Sequence, residues 1–191
     1  MGEFCRAVQN GNADQVSYLM GFDVDPAAAW GNQYNALQNA CVLGHTGVVK
    51  VLLKNGVSPN DYILSSDPRR GSSPLDIALR RDDFELFALL LEYGADPNAP
   101  VVNQFGRYSL LFTQIIGRYA DRPQLAEQFI VEMLKHDWDI NSRDQDNYSA
   151  VEWMRAWNVG SLETLRMLKS YGAKDPADTR TLTASPVEFR H

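Results

Sequence analysis

Gly94-Ala95-Asp96-Pro97-Asn98 repeats the pattern of Gly56-Val57-Ser58-Pro59-Asn60, and weaker copies stand at Asp23-Val24-Asp25-Pro26, Asp137-Trp138-Asp139-Ile140-Asn141 and Gly172-Ala173-Lys174-Asp175. With the first residue of each taken as a marker, the markers fall at 23, 56, 94, 137 and 172, spaced 33, 38, 43 and 35 residues apart. Recurrence at such a period is the signature of stacked repeats, in which one small unit cannot bury its apolar face alone. Seven, four and three positions before each marker lie apolar residues, one face of a helix about to end. The triads are Val16/Leu19/Met20, Val49/Leu52/Leu53, Phe87/Leu90/Leu91 and Ile130/Met133/Leu134, while the fifth, Leu165/Leu168, ends in Lys169, as a terminal repeat with a solvated outer face would. Gly56, Gly94 and Gly172 sit where a helix C-terminus favours a left-handed residue.

A shorter helix precedes each of these. In Ser73-Pro74-Leu75-Asp76-Ile77-Ala78, Ser73 can cap, Pro74 takes the first helical position and Ala78 permits close packing. Asn35-Ala36-Leu37-Gln38-Asn39-Ala40 and Ser149-Ala150-Val151-Glu152 repeat the signal, the last with capping-box spacing. Each unit therefore reads as helix, turn, helix and extended finger.

The 191 residues are 45% apolar and 22% charged, enough for a sizeable core, and carry a net charge of −6. That total argues against a dedicated nucleic-acid or anionic-membrane binder. Two cysteines, Cys5 and Cys41, make neither a disulfide framework nor a four-thiolate zinc site, and His45, His136 and His191 are scattered. No run of eighteen apolar residues occurs and Met1 to Arg6 lacks a basic start followed by an apolar stretch, so neither a spanning helix nor a secretory signal is expected, and the myristoylation pattern suggested by Gly2 fails at Arg6. The expectation is an intracellular chain, cytoplasmic or nuclear, with free thiols.

Asn35 through Asn60, including Gly44-His45 between the helices, resembles the ankyrin repeat almost position by position. Ser73 through Asn98 does so with Asp82-Asp83 in place of that pair. The resemblance covers roughly residues 2–174 and implies an all-α solenoid of five helix-turn-helix units with extended fingers. The units run over about 1–26, 27–60, 61–98, 99–141 and 142–174, followed by a polar tail, 175–191, in which Ser185-Pro186 could open a degenerate sixth repeat. Against the family period, five residues are added in the finger at 61–72. Ten more fall before marker 137, two in the finger ending at Arg107 and the rest in 117–124, between two helices. Unit five gains two at 156–159.

The resemblance also implies a noncatalytic interaction module that binds along the concave side, with variable positions just before the first helix and near its end. Carried over, these are Tyr34, Val42 and Leu43 in unit two, Arg69, Arg70, Arg80 and Arg81 in unit three, Phe105, Arg107, Ile115 and Ile116 in unit four, and Tyr148 and Trp157 in unit five; the insertions add Tyr62, Ile63, Leu64 and Arg118. Five arginines on groove positions of an acidic protein favour an acidic partner segment, and the aromatics beside them are hot-spot composition. The alternatives are that the arginines are solvated surface features, or that Tyr62, Phe105, Tyr148, Trp153 and Trp157 line an enclosed small-molecule pocket beneath the long fingers, binding or enzymatic. Binding of single-stranded nucleic acid ranks third. His45 is expected to tie neighbouring units, and Cys41 to fill core volume. No nucleophile with a base, paired-carboxylate site, phosphate loop or calcium loop has supporting spacing, Asp144 and Asp146 included, so neither cofactor nor metal is expected.

Overall fold

The residues placed at the expected helix starts cap them. In the computed structural model, which describes residues 2–30, 34–61, 73–102, 108–144 and 146–175, the Asn35 side chain accepts from the Gln38 amide while Gln38 Oε1 accepts from the Asn35 amide. Ser149 and Glu152 form the same reciprocal box. Ser73 caps a helix that has Pro74 in its first turn. Each cap satisfies amides that a helix start leaves without partners, at about 1 kcal/mol.

The described helices form five pairs: α1 (Gly2–Gln9) with α2 (Ala13–Leu19), α3 (Ala36–Leu43) with α4 (Thr46–Lys54), α5 (Pro74–Arg80) with α6 (Phe84–Glu92), α7 (Leu111–Arg118) with α8 (Pro123–Lys135), and α9 (Ala150–Trp157) with α10 (Leu162–Ser170). Between α6 and α7 the finger becomes an antiparallel pair, β1 (Pro100–Val102) and β2 (Tyr108–Leu110), with Pro100 opposite Leu110. α3 packs on α1 and α5, and α9 on α7; α2, α4, α6, α8 and α10 pack successively in a second layer. The core lies between the layers, where Leu37, Leu52, Leu79, Phe87, Leu90, Phe112, Phe129 and Leu168 are all buried. Each such side chain contributes about 1.5–3 kcal/mol of transfer free energy.

The repeated pentapeptide has a physical reason. Its third residue turns back on the finger: Ser58, Asp96 and Asp139 each accept from the amide two residues on, at 3.1, 2.8 and 2.9 Å. Its last residue bridges to the next unit. Asn60 Nδ2 donates to Gly94 O at 2.9 Å and its Oδ1 accepts from the Asp96 amide at 2.8 Å. Asn98 joins Asp137 O and the Asp139 amide in the same way, and Asn141 joins Gly172 O and the Lys174 amide. An amide side chain supplies the donor and the acceptor from one planar head. Unit one carries Ala27 at the equivalent position, after Asp25 has made the same local turn.

The marker itself is left-handed: Gly56, Gly94 and Gly172 have φ of 81°, 84° and 93°, and Asp137 takes φ 60° in the same place. A side chain there carries strain that glycine lacks. Asp137→Gly is therefore expected to raise stability by about 0.5–1 kcal/mol, read as a higher midpoint in urea; an unchanged or lower midpoint would show that the aspartate is not strained.

Unit four departs from expectation. Its turn, 119–122, is four residues long rather than a long inserted loop, and α8 runs 13 residues where α4 and α6 run nine. The added chain went mostly into one more helical turn, begun at Pro123 and anchored by Leu125 and buried Ala126. Asp175, just beyond the expected edge at 174, still packs on the stack. Asp175 is buried and accepts from Arg155 Nη2 at 2.6 Å and Lys169 Nζ at 2.7 Å. Lys169, which breaks the apolar triad, thus holds the last finger down.

Candidate protein-binding face

Counting from the N-cap of each first helix aligns the units. Eight residues after Asn35, Ser73, Leu110 and Ser149 come Leu43, Arg81, Arg118 and Trp157, one row at the ends of α3, α5, α7 and α9. The next position is left-handed in three units, at Gly44, Asp82 and Asn158, with φ 76°, 56° and 51°. This register corrects the reading of unit four. Ile115 and Ile116 fall three and two positions earlier than Arg118, among the equivalents of core residues such as Ala40 and Ala78, and both are buried. The positions of that unit equivalent to Val42 and Leu43 are Gly117 and Arg118.

The row also ties the stack together. His45 Nε2 lies 3.0 Å from Gln9 O, packed against Gly11. Arg81 Nη1 donates to Val42 O at 2.7 Å, with its guanidinium over Gly44, where a Cβ would collide with it. Arg118 Nη2 donates to Arg80 O at 2.9 Å, and its Nε to Asp82 Oδ1 at 2.7 Å. Asp82 Oδ1 accepts from the Tyr119 hydroxyl as well, at 2.6 Å. These two donors hold the Asp82 carboxyl at about 2, below its ordinary value, chiefly through the Arg118 hydrogen bond. Burial first, then the bond to Asp82, pushes Tyr119 up to about 12.

Of the arginines read as groove residues, Arg80 is ion-paired with buried Asp76 and Arg81 is spent on the neighbouring unit. Arg69, Arg70, Arg107, Phe105, Tyr62, Ile63 and Leu64 lie outside the described residues. The aromatic candidates of unit five meet. Trp157 is 46% exposed, stacked on Trp153 at 5.5 Å and met edge-on by Tyr148 at 5.1 Å, and Trp153 reaches across to Gly117 of α7. Val42 and Leu43, the latter 44% exposed, present apolar surface at the matching end of α3, and Tyr34 is half-buried before that helix.

Three features went unread in the sequence: the Asp82–Arg118–Tyr119 joint, the exposed Tyr18–Phe22 pair of unit one, whose rings meet at 5.0 Å, and exposed Leu162 and Tyr171 in unit five. The aspartate at the left-handed turn position was the available signal for the first. Cys41 is buried, which pushes its thiol up to about 12 and leaves it unreactive at neutral pH. Asp144 accepts from the amides of Asp146 and Tyr148, closing a finger turn. Among the described residues no group of three histidines, cysteines or carboxylates could hold a metal ion, and no helix is long and apolar enough to cross a membrane.

Known proteins share this arrangement. The family model for ankyrin repeats in three copies matches residues 4–101, half of the chain. An ankyrin repeat protein of Fowlpox virus, FPV014, is 30% identical over 90 residues, covering 47% of this chain and 20% of its own length. The human BCL-6 corepressor-like protein 1 is 34% identical over 93 residues, 48% of this chain and 5% of its own length. Mouse ankyrin repeat and SOCS box protein 16 is 35% identical over 89 residues, 43% of this chain and 18% of its own length. The chain thus spans a fifth or less of these relatives, and what it shares with them is the repeat stack. Ankyrin repeats generally serve as noncatalytic modules of protein–protein interaction. With its helix pairs, its fingers bridged by asparagine and a half-chain match to the family model, this chain belongs to the ankyrin repeat family.

Proposed function

We propose that the chain is a noncatalytic adaptor that captures a partner segment along its first-helix layer, anchored by Trp157 with Trp153 and Tyr148. The observation that carries this reading is exposed Trp157 at the end of α9, held by the rings of half-buried Trp153 and Tyr148. Rings already held by one another lose little freedom on binding, and a large apolar ring that excludes water is the usual anchor of an interface. Val42 and Leu43 extend the apolar contact at the matching end of α3. Acidic groups on the partner would be met by Arg69, Arg70 and Arg107, since Arg81 is engaged within the stack. Those charges would set orientation and encounter rate more than affinity.

Affinity capture from cell lysate with wild type, Trp157→Ala and Arg69→Glu/Arg70→Glu tests both parts. A retained protein should dissociate at least tenfold faster from Trp157→Ala and lose its salt dependence with the arginine pair reversed. Retention unmoved by Trp157→Ala, with the helical circular dichroism intact, would overturn the aromatic anchor. Unchanged salt dependence would remove the acidic partner.

A further inference from the structure

In the second-helix layer, away from the aromatic trio, a groove of about 540 Å³ opens over the middle of α6. Its floor is Phe84, Ala88 and Leu89, with Thr46 and Lys50 of α4 on one side and Glu132 and His136 of α8 on the other. The depression has a simple origin: Ala88 is half-buried and presents a single methyl between larger neighbours. Glu85 and Glu92 also line it. They flank Ala88 along α6 and stand seven residues apart, two turns or about 10 Å. Both are exposed, and neither has an ion-pair partner among the described residues. Glu132 is already engaged by Lys135 at 2.8 Å and His136 at 3.5 Å.

We propose that this groove is a second docking site, for an amphipathic partner helix that carries lysine or arginine two turns apart with a leucine-like side chain between them. The match is geometric and electrostatic. A helix laid along α6 repeats the same 10 Å spacing, so its cations reach Glu85 and Glu92 while the apolar side chain between them drops into the hollow over Ala88. An acidic helix meets three carboxylates at this site, which disfavours it. Lys50 works against the cationic partner and sets which of its faces turns toward α4. The site shares no residue with the proposed first-helix face.

Fluorescence anisotropy of the full chain with a labelled 15-residue leucine/lysine helix, lysines at i and i+7, and with its leucine/glutamate counterpart at physiological salt tests the proposal. The lysine peptide should bind and the glutamate peptide should not. Ala88→Trp, which fills the hollow without touching a charge, should weaken binding at least tenfold. Glu85→Lys/Glu92→Lys should weaken it about tenfold, Lys50→Glu should tighten it about threefold, and Trp157→Ala should leave it unchanged. All are exposed or half-buried positions, so circular dichroism should stay constant. Equal binding of both peptides, no binding of the lysine peptide, affinity unmoved by Ala88→Trp, or affinity lost with Trp157→Ala would each overturn it.

Discussion

Phe129→Ala should be the most damaging single substitution, at a cost of about 3–5 kcal/mol. The ring is fully buried and meets Phe84 at 5.3 Å, Phe87 at 4.9 Å and Tyr119 at 5.3 Å, the first two edge-on and the last stacked. Phe84 and Phe87 belong to unit three and Tyr119 to unit four, so the cavity would open at a joint. Stability in a solenoid is a sum of unit terms and neighbour terms, and weakening one joint uncouples the two sides. Urea unfolding of the variant should therefore split, with units four and five melting first. Trp138, Trp153 and Trp157 lie in that half and Trp30 in the other, so tryptophan fluorescence should fall ahead of circular dichroism. A single transition near the wild-type midpoint would show that the joint does not rest on this ring. Phe129→Leu, which keeps most of the volume, should cost about 1 kcal/mol.

Asp82→Ala should follow, at about 2–4 kcal/mol. The phenol of Tyr119, a residue only 1% exposed, would lose its acceptor, at about 1–3 kcal/mol. Alanine would have to hold φ 56°, at about 1 kcal/mol. The lost contact with Arg118 adds less than about 1 kcal/mol, because the Asp82 side chain is 42% exposed and water screens the pair. Asp82→Gly removes the same bonds without the backbone strain, so the difference between the two variants isolates that term. The joint also titrates. Because the Asp82 carboxyl is depressed to about 2, its contribution is present above the ordinary carboxylate range and is lost as pH falls toward 2. Tyr119 is raised to about 12, so its contribution is complete below 10 and is lost as pH rises through 12. Relative to wild type, Asp82→Asn should flatten the acid limb and Tyr119→Phe the alkaline limb. Parallel curves on both limbs would remove the joint as the cause.

Much of the stack was legible because repetition multiplies weak local signals. One Gly-Ala-Asp-Pro-Asn says little, but copies preceded by the same apolar triad, three of them with a capping Asn35, Ser73 or Ser149 further upstream in the unit, leave few folds open. His45 was legible for a similar reason, as part of a pair with Gly44. The site was less so. Trp153, Trp157 and Tyr148, read with Tyr62 and Phe105 as one aromatic lining, meet in the structure, but Ile115 was placed on the face and lies in the core. The missing cap residue at Leu110 and the lengthened α8 hid the register of unit four, and no local rule restores it. Arg81 shows a second limit: its type and position in the chain are the same whether it awaits a ligand or, as here, lies over Gly44 and donates to Val42 O.

The sequence by itself determined the helix pairs, the caps at Asn35, Ser73 and Ser149, and the left-handed glycines 56, 94 and 172, since these depend on residues within one unit. Only the tertiary structure decided that the finger asparagines bridge to the next unit, which charges are spent at the joints, that Asp175 pairs with Arg155 and Lys169, and that Ala88 leaves a hollow between α4 and α8. Those outcomes turn on where side chains from different units meet, and that distance is set by packing between layers, on which the order of residues along the chain places no direct constraint.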